Sequence, residues 1–236
     1  MLVAAAFVPA APVLVPSIAG GAAAELDDFR AQCEAAVRIV CDAAPDQLVM
    51  LGAAPRTAPY AADAVADLAP WGGDPIGAAA DAPRLPLSLA MGSWWLDRVA
   101  GSTPRVSFGL AADDPLERCR SVGEALAERA TSVGVLAIGG GSACRTDKAP
   151  GSFDARAEAF DEALVGALGS ADIDALLAVD DTIAAELLVD GRAPWQVVAA
   201  MAAARPAGSG DCVATLHGTA DPYGVQYVAA SWQWTP

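Results

Sequence analysis

The chain has 236 residues, of which 54% are hydrophobic, and a formal net charge of -15. This length and apolar content supply the core of one α/β domain, while the acidic excess argues against a nucleic-acid partner, which needs a basic face. No apolar run reaches the roughly 18 residues of a membrane span.

The elements follow in chain order. LVAAAFV at 2–8 reads as a buried strand that stops at Pro9. It lacks the basic flank of a signal peptide, and Pro9 and Pro12 break the apolar stretch. The loop that follows, PAAPVLVP at 9–16, stands after a strand's carboxyl end, where α/β proteins bind ligands. It carries no group able to do chemistry. Residues 24–43 predict a helix, because Leu26, Phe29, Cys33, Val37 and Val40 recur every three or four positions and acids fill the first turn. QLVMLGA at 47–53 has the continuous apolar pattern of a buried strand. The Pro- and Gly-rich stretch at 70–86 predicts loop. Residues 87–100 predict a helix carrying Trp94 and Trp95, and RVSFGLA at 105–111 a strand. A helix is predicted over 115–132, with Leu116, Cys119, Val122, Leu126 and Ala130 along one side. VGVLAIGGG at 133–141 is a strand running into a glycine turn. Helices are then predicted at about 154–168, 172–188 and 194–204, with Pro194 in a first turn. Two strands close the chain, at 211–218 and 224–234. This alternation predicts a single α/β domain spanning 1–236.

Five cysteines, Cys33, Cys41, Cys119, Cys144 and Cys212, include no CxxC pair. They suggest neither a disulfide framework nor a zinc site, and they fit a cytoplasmic location. Cys33 and Cys41, eight apart, share one helix face as small core residues.

IGGGSACRTDKAPGSFDAR at 138–156 is the most informative segment. It lacks the P-loop pattern, since Lys148 comes seven residues after Gly141. Ser142 invites a nucleophile reading, but GGSAC is not the GxSxG elbow, and His217 is the chain's sole histidine. On its alternating strand, His217 reads more simply as a hydrogen-bonded, partly buried residue. Cys144 has Arg145 and Lys148 nearby to lower its thiol pKa, against the plainer reading of a small buried cysteine. Asp147, Asp154 and Asp161 lie near the turn, where carboxylates could hold Mg²⁺. The Asp180–Asp181 pair reads as a helix cap, and Trp195 as a core anchor. HGTADPYGVQY at 217–227 gathers His217, Asp221, Tyr223 and Tyr227 around a turn. The catalytic candidates are thus His217, Ser142, Cys144, Asp147 and Lys148.

The opening strand and loop, AAPDQLVMLG, GGGSACRTDKAPGSFDARAEAFDEAL, AELLVDGRAPWQVVAAM and DPYGVQYVAASW occur in an order that resembles the class III extradiol ring-cleavage dioxygenase (LigB-like) family, in its actinobacterial branch. The resemblance covers nearly the whole chain, and KAPGSFDARAEAFD and GRAPWQ are its specific blocks. It implies one three-layer α/β/α domain with a mostly parallel or mixed sheet, a cleft at the strand ends, and a homodimer. Active members cleave catechol-type rings with O₂ at an Fe(II) held by two histidines and a glutamate. The resemblance also implies that Ala10 or Ala11 stands where the first metal histidine belongs, and Ala53 and Ala54 where the second does. Ala143, after Ser142, stands where the acid/base histidine belongs, and no glutamate near the closing strands supplies the last ligand.

The expectation is therefore a pseudoenzyme with no metal site and no Fe(II), binding a small aromatic ligand or a partner without turnover. The alternative is an enzyme with metal-independent or unorthodox metal chemistry in the inherited cleft. That cleft is expected to draw on Pro9, Ala10 and Ala11 after the first strand, and on Gly52 and Ala53 after the second. Gly140, Gly141 and Ser142 would come from the glycine turn, and Asp221 and Tyr223 from the last loop.

Overall fold

The computed structural model of the chain describes residues 1–74, 81–100 and 104–235. Seven strands form one sheet: β1 Leu2–Val8, β2 Gln47–Ala53, β3 Ala58–Pro59, β4 Arg105–Leu110, β5 Val133–Ile138, β6 Cys212–Ala220 and β7 Tyr227–Trp234. Their order across the sheet is β3-β4-β2-β5-β1-β7-β6. The inner four, β4, β2, β5 and β1, run parallel. The antiparallel β3 closes one edge, and β7 and β6 close the other. The fold is α/β with a mixed sheet, in keeping with the class the sequence predicts.

The apolar runs form central strands because both faces of each are covered. Leu2, Ala5 and Phe7 of β1 enter one core, and Ala4, Ala6 and Val8 enter another. A register irregularity between Leu2 and Ala4 resets the alternation. The second core is filled from α1 Pro16–Ala19, α2 Asp27–Asp42 and α3 Leu87–Ala100, with Phe29, Cys33, Val37 and Trp95 prominent. The first core is filled from α4 Leu116–Ala127, α5 Ala157–Ser170, α6 Ile173–Leu177, α7 Asp181–Glu186 and α8 Arg192–Ala203. Trp232 of β7 lies in this core edge-on to Phe7, with ring centroids 4.8 Å apart, and its Nε1–H donates to Leu168 O at 2.7 Å. Truncating such a fully buried tryptophan costs about 3–5 kcal/mol.

Several boundaries differ from the sequence reading for local reasons. The helix predicted over 24–43 starts at Asp27, because Gly20–Leu26 winds as a 3₁₀ helix. Arg30 ties this turn down, donating to Leu14 O at 2.7 Å and Ala23 O at 3.1 Å. The helix predicted over 115–132 ends at Ala127. Ser132, which leads into β5, is instead tied to the start of β2, with its N–H and hydroxyl both donating to Asp46 at 2.9 Å. The stretch 172–188 is two short helices, because aspartates start each of them. The Asp172 carboxylate accepts from the Ala175 N–H, and that of Asp180 from the Ile183 N–H, both at 2.9 Å. The last strand begins at Tyr227, after a tight Pro222–Gly224 turn in which Tyr223 has φ 59°. Within the predicted 70–86 loop, Ala69–Trp71 is a 3₁₀ turn and 75–80 lie outside the described residues. The two-residue β3, half of it proline, carries no sequence signal. Among the described residues no helix is long and apolar enough to cross a membrane.

The connections place a crevice. The chain leaves β1 into α2 on one face of the sheet and leaves β5 into α5 on the other. β1 and β5 are neighbours, so their carboxyl ends separate at a topological switch point, the usual ligand position in open α/β sheets. The glycine turn after β5 is packed backbone to backbone there. A Cβ on Gly139 would lie 2.4 Å from Gly191 Cα, whereas one on Gly166 in α5 would meet nothing within 4 Å. We expect Gly139→Ala to lower unfolding stability in urea by about 1–3 kcal/mol. Gly166→Ala should raise it by about 0.5–1 kcal/mol. Equal effects from the two would contradict this packing.

Candidate functional site

The loops leaving β1 and β5 enclose a cavity of about 240 Å³. Pro9, Ala10 and Ala11 come from the first loop, and Gly140, Gly141 and Ala143 from the second. Leu188 and Asp190, between α7 and α8, face it from a third segment. Val225 and Tyr227, entering β7, supply a fourth. Pro150 adds a further apolar contact.

Backbone hydrogen bonds lock these segments together. Gly191 N–H donates to Gly140 O at 3.0 Å, and Ala143 N–H to Leu187 O at 2.9 Å. Gly141 N–H donates to Gln226 O at 2.9 Å, and Gln226 N–H returns to Ser142 O at 2.8 Å. The GRAPWQ block serves this frame. Gly191 must be glycine because a Cβ would stand 2.2 Å from the Trp195 ring. The buried Arg192 donates to Ala112 O at 2.6 Å and Asp114 O at 2.8 Å, fastening the β4–α4 loop to α8. Leu188 is held at φ 58° and is 51% exposed. A left-handed leucine is uncommon, and such strain persists only where surrounding structure enforces it.

Two side chains give the cavity its chemistry. Asp190 Oδ1 accepts from Gly140 N–H at 2.5 Å. The residue keeps solvent access through the cavity, although protein surrounds its carboxyl group on the other sides. That enclosure pushes its pKa up to about 6, against the hydrogen bonds from Gly140 and its own backbone N–H. Tyr227 is 7% exposed, with its ring stacked on Phe29 at 6.1 Å between centroids. Burial first, then the charge of Asp190 and the neighbouring Tyr223, push its phenol up to about 12. Its hydroxyl has no hydrogen-bond partner among the described residues. The cavity thus offers one acceptor that ionises near neutrality and one phenolic donor, in apolar walls.

The sequence-predicted residues divide clearly. Pro9, Ala10, Ala11, Gly140 and Gly141 line the cavity together. Gly52 and Ala53 do not: β2 is separated from β1 by β5, and Ser88 covers Gly52, its hydroxyl donating to Ala53 O at 2.6 Å. Asp221 lies in a separate groove with Arg145 and Thr219, and Tyr223 is 61% exposed on the adjacent turn.

Of the catalytic candidates, Ser142 is fully buried and committed to structure. Its Oγ–H donates to Asp161 Oδ2 at 2.6 Å, and its N–H to Asp161 Oδ1 at 2.7 Å. Burial pushes the Asp161 carboxyl up against those bonds and the Arg145 charge 3.6 Å away. Cys144 is closed to solvent by a thin cover of chain, with its thiol 3.5 Å from Leu187 O. Burial, then Asp154 and Asp161, push that thiol up, the opposite of an activated nucleophile. Asp147 and Lys148 are exposed, with no hydrogen bond or ion pair among the described residues. His217 sits on the β6–β7 hairpin, its Nε2 2.8 Å from Ser231 Oγ, and lines none of the cavities described. Burial lowers its pKa, which favours the neutral ring. Asp154 forms a fork with Arg156, so the acids near the turn do not converge. Among the described residues, no three His, Cys, Asp or Glu side chains stand together as a metal site would need.

The sequence reading omitted Asp190 from the site and noted Tyr227 only as part of a turn. The signal available was the position of Asp190 directly before a glycine that has to pack against another glycine turn.

No family model and no curated protein matches the sequence. Among solved structures, the chain is similar to the crystal structure of uncharacterized protein JW3007 from Escherichia coli K12. The two share 15% identity with a TM-score of 0.55, over 97% of this chain and 99% of that one. A likeness at this identity shows the fold alone.

Asp190 also sets a pH test. Its folded pKa of about 6 lies above the unfolded value of about 4. Its contribution to stability is therefore fully present below pH 4 and is lost as pH rises through 6. We expect Asp190→Asn to melt higher than the parent at pH 7.5, with the gap closing by pH 4. A gap that is independent of pH would contradict the raised pKa of this carboxyl group.

Proposed function

We propose that this chain is a LigB-like relative of the extradiol dioxygenases that does not hold Fe(II) or cleave rings, and that its cleft binds a small aromatic ligand without turnover. The observation that carries the reading is a cavity at the switch point in which Ala10 and Ala11 occupy the loop where the family resemblance expects a metal histidine. The donors at hand do not fit a two-histidine, one-carboxylate triad. Asp190 is the one carboxylate lining the cavity, one of its oxygens is engaged by Gly140, and no histidine faces it. Ala53 and Ala54 offer no further ligand. The walls suit a single ring, since apolar cavities with a few placed polar groups are the usual small-molecule sites.

A second reading has one observation behind it. A carboxyl titrating near neutrality is a candidate general base and the neighbouring phenol a hydrogen-bond donor, so metal-independent chemistry in the same cleft is the alternative. In that case Asp190→Asn would abolish a turnover found by substrate screening. We also read the chain as a homodimer. Support for this comes from the edge strand β6, whose nine residues include no Asp, Glu, Lys or Arg to discourage pairing.

After anaerobic loading with Fe(II) and removal of excess, elemental analysis should find negligible iron, and catechols should stay intact under O₂. Near-stoichiometric iron with ring cleavage would overturn the proposal. Light scattering should return twice the 23.7 kDa chain mass, and a monomer would remove the dimer.

A further inference from the structure

We propose that the ligand of the switch-point cavity is a small organic cation, a protonated amine on an apolar or one-ring body, whose ammonium group is received by the Asp190 carboxylate and whose neighbouring polar atom is met by the Tyr227 hydroxyl. The inference rests on the reading of this cavity as a ligand site and adds the ligand's charge.

Three observations carry it. First, the charge in the cavity has one sign. Asp190 lines it, and no lysine, arginine or histidine does. Arg192, two residues away, is turned to the carbonyls of Ala112 and Asp114. The guanidinium of Arg145 is held by Gln226 at 2.6 Å and shared among Asp161, Asp221 and Glu158. An anionic ligand would therefore meet a carboxylate with no compensating cation, while an ammonium group would meet its counter-ion.

Second, the body of Tyr227 is buried in the cavity wall, while its hydroxyl has no protein partner among the described residues and is reached by solvent. A hydroxyl so placed is free to exchange its solvent contact for a ligand atom. Third, the protein orients the Asp190 carboxylate. Gly140 N–H holds Oδ1, and no protein donor reaches Oδ2 among the described residues. A carboxylate fixed in this way has its second oxygen available to a ligand, and the carboxylate–ammonium bond then forms beside a lining of alanine, proline and leucine. Charge-assisted bonds are stronger than neutral ones.

The test is calorimetric titration of the whole chain at pH 7.5 with three probes of matched shape: benzylammonium chloride, benzyl alcohol and sodium benzoate. Benzylammonium should bind about tenfold or more tightly than benzyl alcohol, and benzoate should bind undetectably. Asp190→Asn should bring the amine to the level of the alcohol. Tyr227→Phe, which keeps the ring and its stacking, should weaken the amine less than Asp190→Asn does. Ala10→Leu should fill the cavity and remove binding of every probe, and circular dichroism would confirm that each variant is folded. Alcohol binding as tight as that of the amine, or amine binding unchanged in Asp190→Asn, overturns the charge assignment and leaves the cleft reading in place. No binding of any probe to the parent chain, or amine binding that survives Ala10→Leu, overturns the cleft reading itself.

Discussion

The close approach of two backbone turns organises this molecule. The glycine turn after β5 and the Asp190–Gly191 turn before α8 touch without intervening side chains, and they exchange hydrogen bonds at Gly140 in both directions. A Cβ at either Gly139 or Gly191 would occupy space already filled. This contact fixes α8 against the sheet, brings Asp190 to the carboxyl end of β5, and leaves the loop of β1 facing a gap. The cavity is the space between loops that leave toward opposite faces, so it follows from the topology together with one tight contact.

Much of the rest reads as reinforcement of that contact. Trp195 packs over Gly191 from within α8, and Arg192 and Gln196 bind the loop carbonyls of Ala112, Asp114 and Val179. Asp161 reaches from α5 to hold both the N–H and the hydroxyl of Ser142, stiffening the far end of the glycine turn. A serine, a cysteine and a buried carboxylate close together resemble a reactive group. Their hydrogen bonds show a brace instead, since each reactive atom is already committed to a neighbour. Left-handed non-glycine residues fall at Leu188 on the cavity and at Ser152 and Tyr223 on turns, and also at Ala44 and Ala171 just past the ends of α2 and α5.

The parallel strands were legible in the sequence because strands buried on both faces must be apolar throughout. LVAAAFV, QLVMLGA and VGVLAI have that pattern, and each is short and bounded by proline or glycine. The break between α6 and α7 was hidden because the apolar period runs through it, and only the capping of Asp180 separates the helices. In the site, the residues next to strand ends were legible, since Pro9 to Ala11 and the glycines follow β1 and β5 directly. Asp190 and Tyr227 were not. Each lies in a stretch whose local pattern is ordinary, and only long-range packing brings them to the same cavity, across a sequence separation that no periodicity records. The opposite failure befell Gly52 and Ala53. They also end a strand, but β5 stands between that strand and β1, an order that the sequence did not disclose.

Where a small ligand settles decides between a working cleft and a mere gap in the packing. The most direct measurement is a methyl NMR titration of the chain carrying ¹³C-labelled alanine methyls, with benzylammonium as the probe. Ala10, Ala11 and Ala143 line the cavity, whereas Ala53 and Ala54 lie at the end of β2 outside it. A ligand site at the β1–β5 switch point predicts saturable shifts at the first three methyls, with the last two unmoved. Saturable shifts confined to other alanines, or none anywhere, would contradict it.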